Sequence, residues 1–176
     1  MSGHNKWSKI KNKKAITDAQ KSKVFGKLIK LIAIESKKVK GDVNSPGLRA
    51  AIEKAKGVNL PNDKIEGAIK KGAGDEARSM EQITYEAYGP GGTALVIEAL
   101  TENRNRAAQE IKHILSKNGF GLAAPGSVTW AFEKEADNWI PKNKIMVEKE
   151  DIVKLQDLIE ELEENGEVQE VFTNAS

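Results

Sequence analysis

Charge is segregated along this chain. Residues 1–72 carry 18 Lys+Arg against 6 Asp+Glu, a net of +12, whereas residues 73–176 carry 10 against 20, a net of −10. The total of +2 hides both excesses. Segregation on this scale predicts two separate bodies with different tasks, and the basic body predicts nucleic acid or an anionic surface as its partner. The length of 176 residues allows one or two domains with a real core, and 39% hydrophobic with 31% charged residues fits a soluble globular chain.

The pattern of apolar residues changes where the charge does. Residues 1–15 have little periodicity, and Lys6, Lys9, Lys11, Lys13 and Lys14 crowd among Gly3, Asn5 and Asn12. They read as a basic arm that orders on binding. A helix is predicted over 17–40 from Val24, Leu28, Leu31 and Ile32, with Phe25 and Ile29 widening the stripe and Gly41 as its stop. Ser45 as N-cap and Pro46 at the first helical position open a second helix, which buries Leu48, Ala51, Ile52 and Ala55 and closes at Gly57. A third runs from Pro61 to Gly72 with Ile65, Ala68 and Ile69 inward. Residues 1–72 are therefore expected to form a basic arm and three-helix bundle, and the small, polar stretch 73–79 a linker that begins at Gly72.

Beyond the linker, strands are predicted at 83–88 and 93–100 around the turn Gly89-Pro90-Gly91-Gly92. A helix over 103–118, a strand over 127–132, a strand over 139–147 interrupted by Pro141, an acidic helix over 150–164 and a strand over 167–173 follow. The fold class is α+β: an N-terminal three-helix bundle and then an α+β sandwich over 80–176, with helices on one sheet face.

Several stretches together resemble the YebC/PmpR family of probable transcriptional regulators, which also includes a mitochondrial translational activator. They are Gly3-His4-Asn5-Lys6-Trp7-Ser8-Lys9-Ile10-Lys11-Asn12-Lys13-Lys14, then Lys23-Val24-Phe25-Gly26-Lys27-Leu28, then Pro61-Asn62-Asp63-Lys64-Ile65. The most specific is Tyr85-Glu86-Ala87-Tyr88-Gly89-Pro90-Gly91-Gly92-Thr93 followed by Asn103-Arg104-Asn105-Arg106. The ending Val168-Gln169-Glu170-Val171-Phe172 is also similar. Asn5 and Asn12 depart from the family's serine and histidine. The resemblance implies a ferredoxin-like third domain after the strand near Phe132, but here Phe132-Glu133-Lys134-Glu135 runs almost directly into Asn138-Trp139-Ile140-Pro141. A reduced, two-domain version is expected.

The candidate nucleic-acid-binding residues are Lys6, Trp7, Lys9, Lys11, Lys13, Lys14, Lys21, Lys23, Lys27, Lys30 and Arg106. Residues 1–40 hold twelve lysines against Asp18 and Glu35. Lysine neutralises phosphate and releases counterions but reads base edges poorly, so backbone gripping is expected. Lys23, Lys27 and Lys30 follow a spacing that places them on one helix face; the alternative is a solvated surface without a partner. Trp7 either stacks on a base or anchors the arm in the bundle. Arg106, at a helix start, either contacts phosphate or pairs with a nearby carboxylate, as does Arg104. The Gly89–Gly92 turn is either a hairpin tip that enters a partner groove or a plain tight turn. Tyr85 and Tyr88, three apart, point to opposite sheet faces, so one belongs to a core.

Catalysis is not expected. The chain has no cysteine and two histidines, which leaves no thiol nucleophile and no zinc spacing, and neither cofactor nor metal is predicted. The opening lacks the apolar block of a secretory signal, and no run approaches the ~20 apolar residues of a membrane span. A cytoplasmic regulator of gene expression is expected, bound to DNA. Two alternatives are a ribosome-associated translation factor on ribosomal RNA that relieves stalling, and a protein–protein adaptor whose acidic body docks a partner. Salt separates the last from the others, because phosphate gripping weakens steeply as salt rises.

Overall fold

The computed structural model describes residues 18–75 and 80–176. They fall into two compact units, one of residues 18–75 with 80–82 and 100–103, the other of residues 83–99 and 104–176. The α+β class is observed.

The first unit holds three helices: α1 (Asp18–Val39), α2 (Pro46–Gly57) and α3 (Asn62–Ala73). Val24, Leu28 and Ile32 of α1 are buried, as are Leu48, Ala51 and Ala55 of α2 and Ile65 and Ala68 of α3. Each large aliphatic side chain enclosed this way contributes roughly 1.5–3 kcal/mol. Gly41 (φ 83°) takes the left-handed conformation that ends α1, and its N–H bonds Ser36 O at 3.0 Å. Ser45 starts α2 without capping it; its hydroxyl donates to Asp42 O instead, at 2.8 Å. The buried Glu35 carboxylate of α1 takes up position at that helix end, so close to Gly47 that an added Cβ would overlap Oε2. Negative charge there suits the helix dipole.

Gly72 is not a helix stop. It lies inside α3, buried, and a Cβ on it would overlap the Ala33 carbonyl oxygen of α1. Close approach of α1 and α3 therefore requires its missing side chain, and Ser36 Oγ fastens the crossing by donating to Ile69 O at 2.6 Å. Met80 and Leu100 also belong to this unit, packed with Ala33 and Ile34, while Lys37 Nζ donates to Met80 O at 2.8 Å.

The second sheet-bearing unit is built on β1 (Glu81–Tyr88), β2 (Ala94–Thr101) and β5 (Val168–Thr173) in the order β1-β2-β5, with β2 and β5 antiparallel and Val96 opposite Phe172. Alternation along β2 sends Leu95, Ile97 and Ala99 into a core with α4 (Arg104–Lys117) and α5 (Lys149–Glu164), through Ile111, Leu115, Leu158 and Leu162. The opposite face is covered too: Ala94 and Val96 pack with Val128, Phe132 and Phe172. Helices thus occupy one face, and a hairpin of β3 (Phe132–Glu135) and β4 (Asn138–Pro141) with its leading loop occupies the other. Every residue of β2 is buried, Glu98 included, which explains why its apolar residues do not alternate with exposed polar ones.

Two predicted strands are corrected. Residues 127–131 are not extended: Thr129–Ala131 is a single tight helical turn, and the strand begins at Phe132. The backbone N–H groups of Gly126, Val128 and Thr129, which a ladder would use, point instead at the Glu86 carboxylate. The strand expected over 139–147 ends at Pro141, because proline cannot donate to a ladder.

Candidate nucleic-acid interface

The lysines of α1 do not share one open face. Lys21 and Lys23 are exposed, Lys30 is half-buried, and Lys27 is buried with 3% of its surface exposed. Lys27 follows Val24 by three residues and precedes Leu28 by one, which turns it toward the buried stripe. From Lys27 onward α1 is enclosed on most sides, down to Ala33, Ile34, Glu35 and Ser36. The expectation of a simple amphipathic helix with a wet lysine face fails there. Lys21 Nζ lies over the Phe25 ring, 5.6 Å from its centre.

Other cations, which the sequence reading passed over, join the exposed surface of this unit: Arg49, Lys54 and Lys56 on α2, and Lys64, Lys70 and Lys71 on α3. Lys71 faces Glu102 at 3.1 Å and Lys38 binds Glu35 at 2.6 Å. Residues 18–75 hold 13 Lys+Arg against 7 Asp+Glu, so the unit keeps a positive excess without the arm. Lysines at helix C-termini read as dipole partners in a sequence, and only the packing reveals that they are also exposed together. Lys6, Trp7, Lys9, Lys11, Lys13 and Lys14 lie outside the described residues.

Arg106 is held by its own domain. Its Nε and Nη2 both donate to Glu167 Oε1, at 3.1 and 2.6 Å, and the Glu167 side chain is buried. A guanidinium that pairs with a buried carboxylate fixes the start of α4 against the turn before β5, while the Arg106 side chain stays 53% exposed. The Gly89–Gly92 turn also packs inward. Pro90 is buried and a Cβ on Gly91 (φ 70°) would meet Val147 Cγ1 at 2.8 Å, so one side of the turn rests against the approach to α5, while Gly91 and Gly92 stay exposed.

The segment beside that turn carries exposed aromatic surface. Tyr85 packs against the core, whereas Tyr88 at the end of β1 is 49% exposed and Trp130 is 69% exposed. Tyr88 Oη and Trp130 Nε1 donate to the same carbonyl, Ser127 O, at 3.0 and 2.7 Å. Glu86 holds the loop that bears this carbonyl, accepting from the N–H groups of Gly126 (2.6 Å), Val128 (2.8 Å) and Thr129 (2.9 Å). Burial alone would raise the Glu86 carboxyl, but these three donors and the Thr129 side chain outweigh it and hold its pKa below the ordinary carboxylate value. Among the described residues no cluster of His, Asp or Glu is placed to hold a metal ion, and no helix is long and apolar enough to cross a membrane.

A basic helical unit followed by this α+β unit is an arrangement with known relatives. Residues 5–75 match the TACO1/YebC protein N-terminal domain, and residues 80–137 and 134–175 match the TACO1/YebC second and third domain, so the chain belongs to the TACO1/YebC family. It is 48% identical over 180 residues to a probable transcriptional regulatory protein of Petrotoga mobilis, covering 98% of this chain and 70% of that one. It is 52% identical over 147 residues to a probable transcriptional regulatory protein of Thermosipho africanus, covering 82% of this chain and 58% of that relative's length. A crystal structure of a conserved hypothetical protein from Aquifex aeolicus superimposes with a TM-score of 0.84 at 30% identity, covering 93% of each chain. The two pieces of the second-and-third-domain match meet at residues 134–137, where Ala136 and Asp137 alone join β3 to β4.

Proposed function

We propose that this chain regulates gene expression by binding nucleic acid and that it does so without catalysing a reaction. The observation that carries the proposal is the segregation of charge, a net of +12 in residues 1–72 against −10 in the remainder. The arm lysines Lys6, Lys9, Lys11, Lys13 and Lys14, with Lys21 and Lys23 at the start of α1, would neutralise phosphates, and Arg49, Lys54 and Lys56 extend the same surface chemistry. Base-edge readers such as Asn, Gln and Arg are scarce on α1–α3, so the grip is on the backbone and sequence preference is weak. The names of the Petrotoga and Thermosipho relatives, probable transcriptional regulatory proteins, favour transcription as the process and so DNA as the target. The same scarcity of base-edge readers favours, as a second reading, a structured RNA such as that of the ribosome.

Binding to a short labelled duplex, followed by anisotropy as salt is raised from about 50 to about 200 mM, tests the proposal. An affinity loss of about a hundredfold or more is expected. The variant with Lys9, Lys11, Lys13 and Lys14 all changed to Glu should bind no duplex while its α+β unit stays folded. Duplex affinity that ignores salt, or that survives the four changes, would sink the proposal and leave the adaptor reading. Crosslinking in cells then separates promoter DNA from ribosomal RNA.

A further inference from the structure

We infer that Tyr88 and Trp130 form a stacking platform for the unpaired bases of a single strand, a second nucleic-acid site on the α+β unit. The inference deepens the proposed function, on which it rests. Trp is strongly buried on average, so a ring with 69% of its surface exposed beside a tyrosine at 49% is an uncommon use of aromatic surface. Neither ring is idle at its polar end, since both donate to Ser127 O. That shared carbonyl orients both rings, and the Glu86 clamp on Gly126, Val128 and Thr129 fixes the loop beneath. Ordering entropy that a floppy aromatic would lose on binding is already lost here, which is what a preorganised platform requires.

The local charge points to the occupant. The unit as a whole is acidic, but residues 87–97 and 119–132 contain no charged side chain at all. Residues 138–147 contain Lys142 and Lys144 and no acid. The backbone of Lys142 pairs beside the platform, its N–H donating to Ala131 O, the neighbour of Trp130, at 2.9 Å. Glu135 and Asp137 lie at the far end of the hairpin by its turn, and Glu133 pairs with Ile140. Exposed rings in an uncharged stretch whose backbone pairs with that of a lysine match a base and its phosphate, and a base pair inside a duplex presents no face to them.

The full chain is titrated with short oligo-uridine and oligo-thymidine strands and, in parallel, with duplex, using tryptophan fluorescence and anisotropy. Trp130→Ala is expected to weaken single-strand binding about tenfold and to remove most of the fluorescence quenching, leaving duplex affinity and its salt slope unchanged. Trp130→Phe, which keeps a ring but not the Ser127 bond, should recover most of the affinity, and Lys142→Glu should weaken single-strand binding several-fold. A preference for uridine over thymidine strands would assign the site to RNA, the reverse to DNA. The inference is overturned if Trp130→Ala, with an unchanged circular dichroism spectrum, binds single strands like the parent, or if it weakens duplex and single strand equally. Loss of duplex binding in the arm variant, with single-strand quenching retained, would support the platform independently of the arm.

Discussion

The two units use charge in opposite ways. In the helical unit most cations stand at the surface, Lys21, Lys23, Lys54, Lys56, Lys64 and Lys70 among them, and aliphatic packing and small residues hold the interior, with Lys27 and Glu35 of α1 its buried charges. The α+β unit buries charge and builds with it. Glu86, Glu98, Glu163 and Glu167 are all buried there. Glu86 pins a loop, Glu98 accepts from Thr84 Oγ1 at 2.8 Å and Trp139 Nε1 at 2.6 Å, and Glu167 receives Arg106. A charge count from sequence is thus mostly a surface statement for the helical unit and more of an interior statement for the other, where, among the described residues, four glutamates are buried against one acid and one lysine in the first. Several carboxylates that make the second unit look acidic are engaged inside it, so its surface repels a polyanion less than its composition implies.

The comparison breaks most readily at the helix crossing. Gly72→Val should destabilise the helical unit by about 3 kcal/mol or more, since a side chain there meets the Ala33 backbone rather than a yielding neighbour. Urea unfolding followed by helical ellipticity reads this, and an unchanged midpoint would show that α1 and α3 do not need their close approach. In the α+β unit the corresponding cut is Glu86→Gln, which replaces an acceptor of three backbone bonds by a group that can donate and should cost about 2 kcal/mol at neutral pH. Because the folded carboxyl titrates below its unfolded value, its contribution is complete above the unfolded pKa of about 4.3 and is lost as pH falls through the lower folded value. The parent should therefore lose stability below about pH 4 more steeply than Glu86→Gln. Parallel acid limbs would remove Glu86 from the account.

Periodicity carried the helices and the β1–β2 pair into view, since α2 and α5 begin within a residue of their expected starts. What stayed hidden needed a partner distant in the chain. Gly72 looked like a helix stop because its tight neighbour, Ala33, lies on another helix. The strand expected at 127–132 failed because Glu86, some forty residues earlier, takes its N–H groups. The site was partly legible: charge density marked the basic unit, but spacing alone could not tell that Lys27 turns inward or that Arg106 has a buried carboxylate to serve. Nothing in the local sequence joined Tyr88 to Trp130, because the atom they share belongs to Ser127.

Arg106→Ala sharpens the contrast further. If the guanidinium serves the protein, its removal takes a cation from the buried Glu167 and should cost about 1.5 kcal/mol, reduced from a fully buried pair because the Arg106 side chain is 53% exposed. Duplex affinity should stay at the parental value. A stable variant with weakened duplex binding would return Arg106 to the interface.

The smallest effect expected is a gain. β3 and β4 are joined by Ala136 and Asp137, with Glu135 opposite Asn138, and Ala136 sits at φ 53°. A Cβ in that left-handed conformation is strained, and glycine adopts it without cost. Ala136→Gly should raise stability by about 0.5 kcal/mol, the relief of strain exceeding the extra entropy glycine gives the unfolded chain. In a chain of this size that is a rise of about 1–2 °C in the thermal midpoint. The hairpin covers the sheet face opposite α4 and α5, so the gain should appear in the transition of the α+β unit and leave that of the helical unit where it was. A lower midpoint would mean that the unfolded-state entropy outweighs the strain, and that the turn is held in place by the Phe132–Pro141 and Lys134–Trp139 pairings rather than by its own geometry.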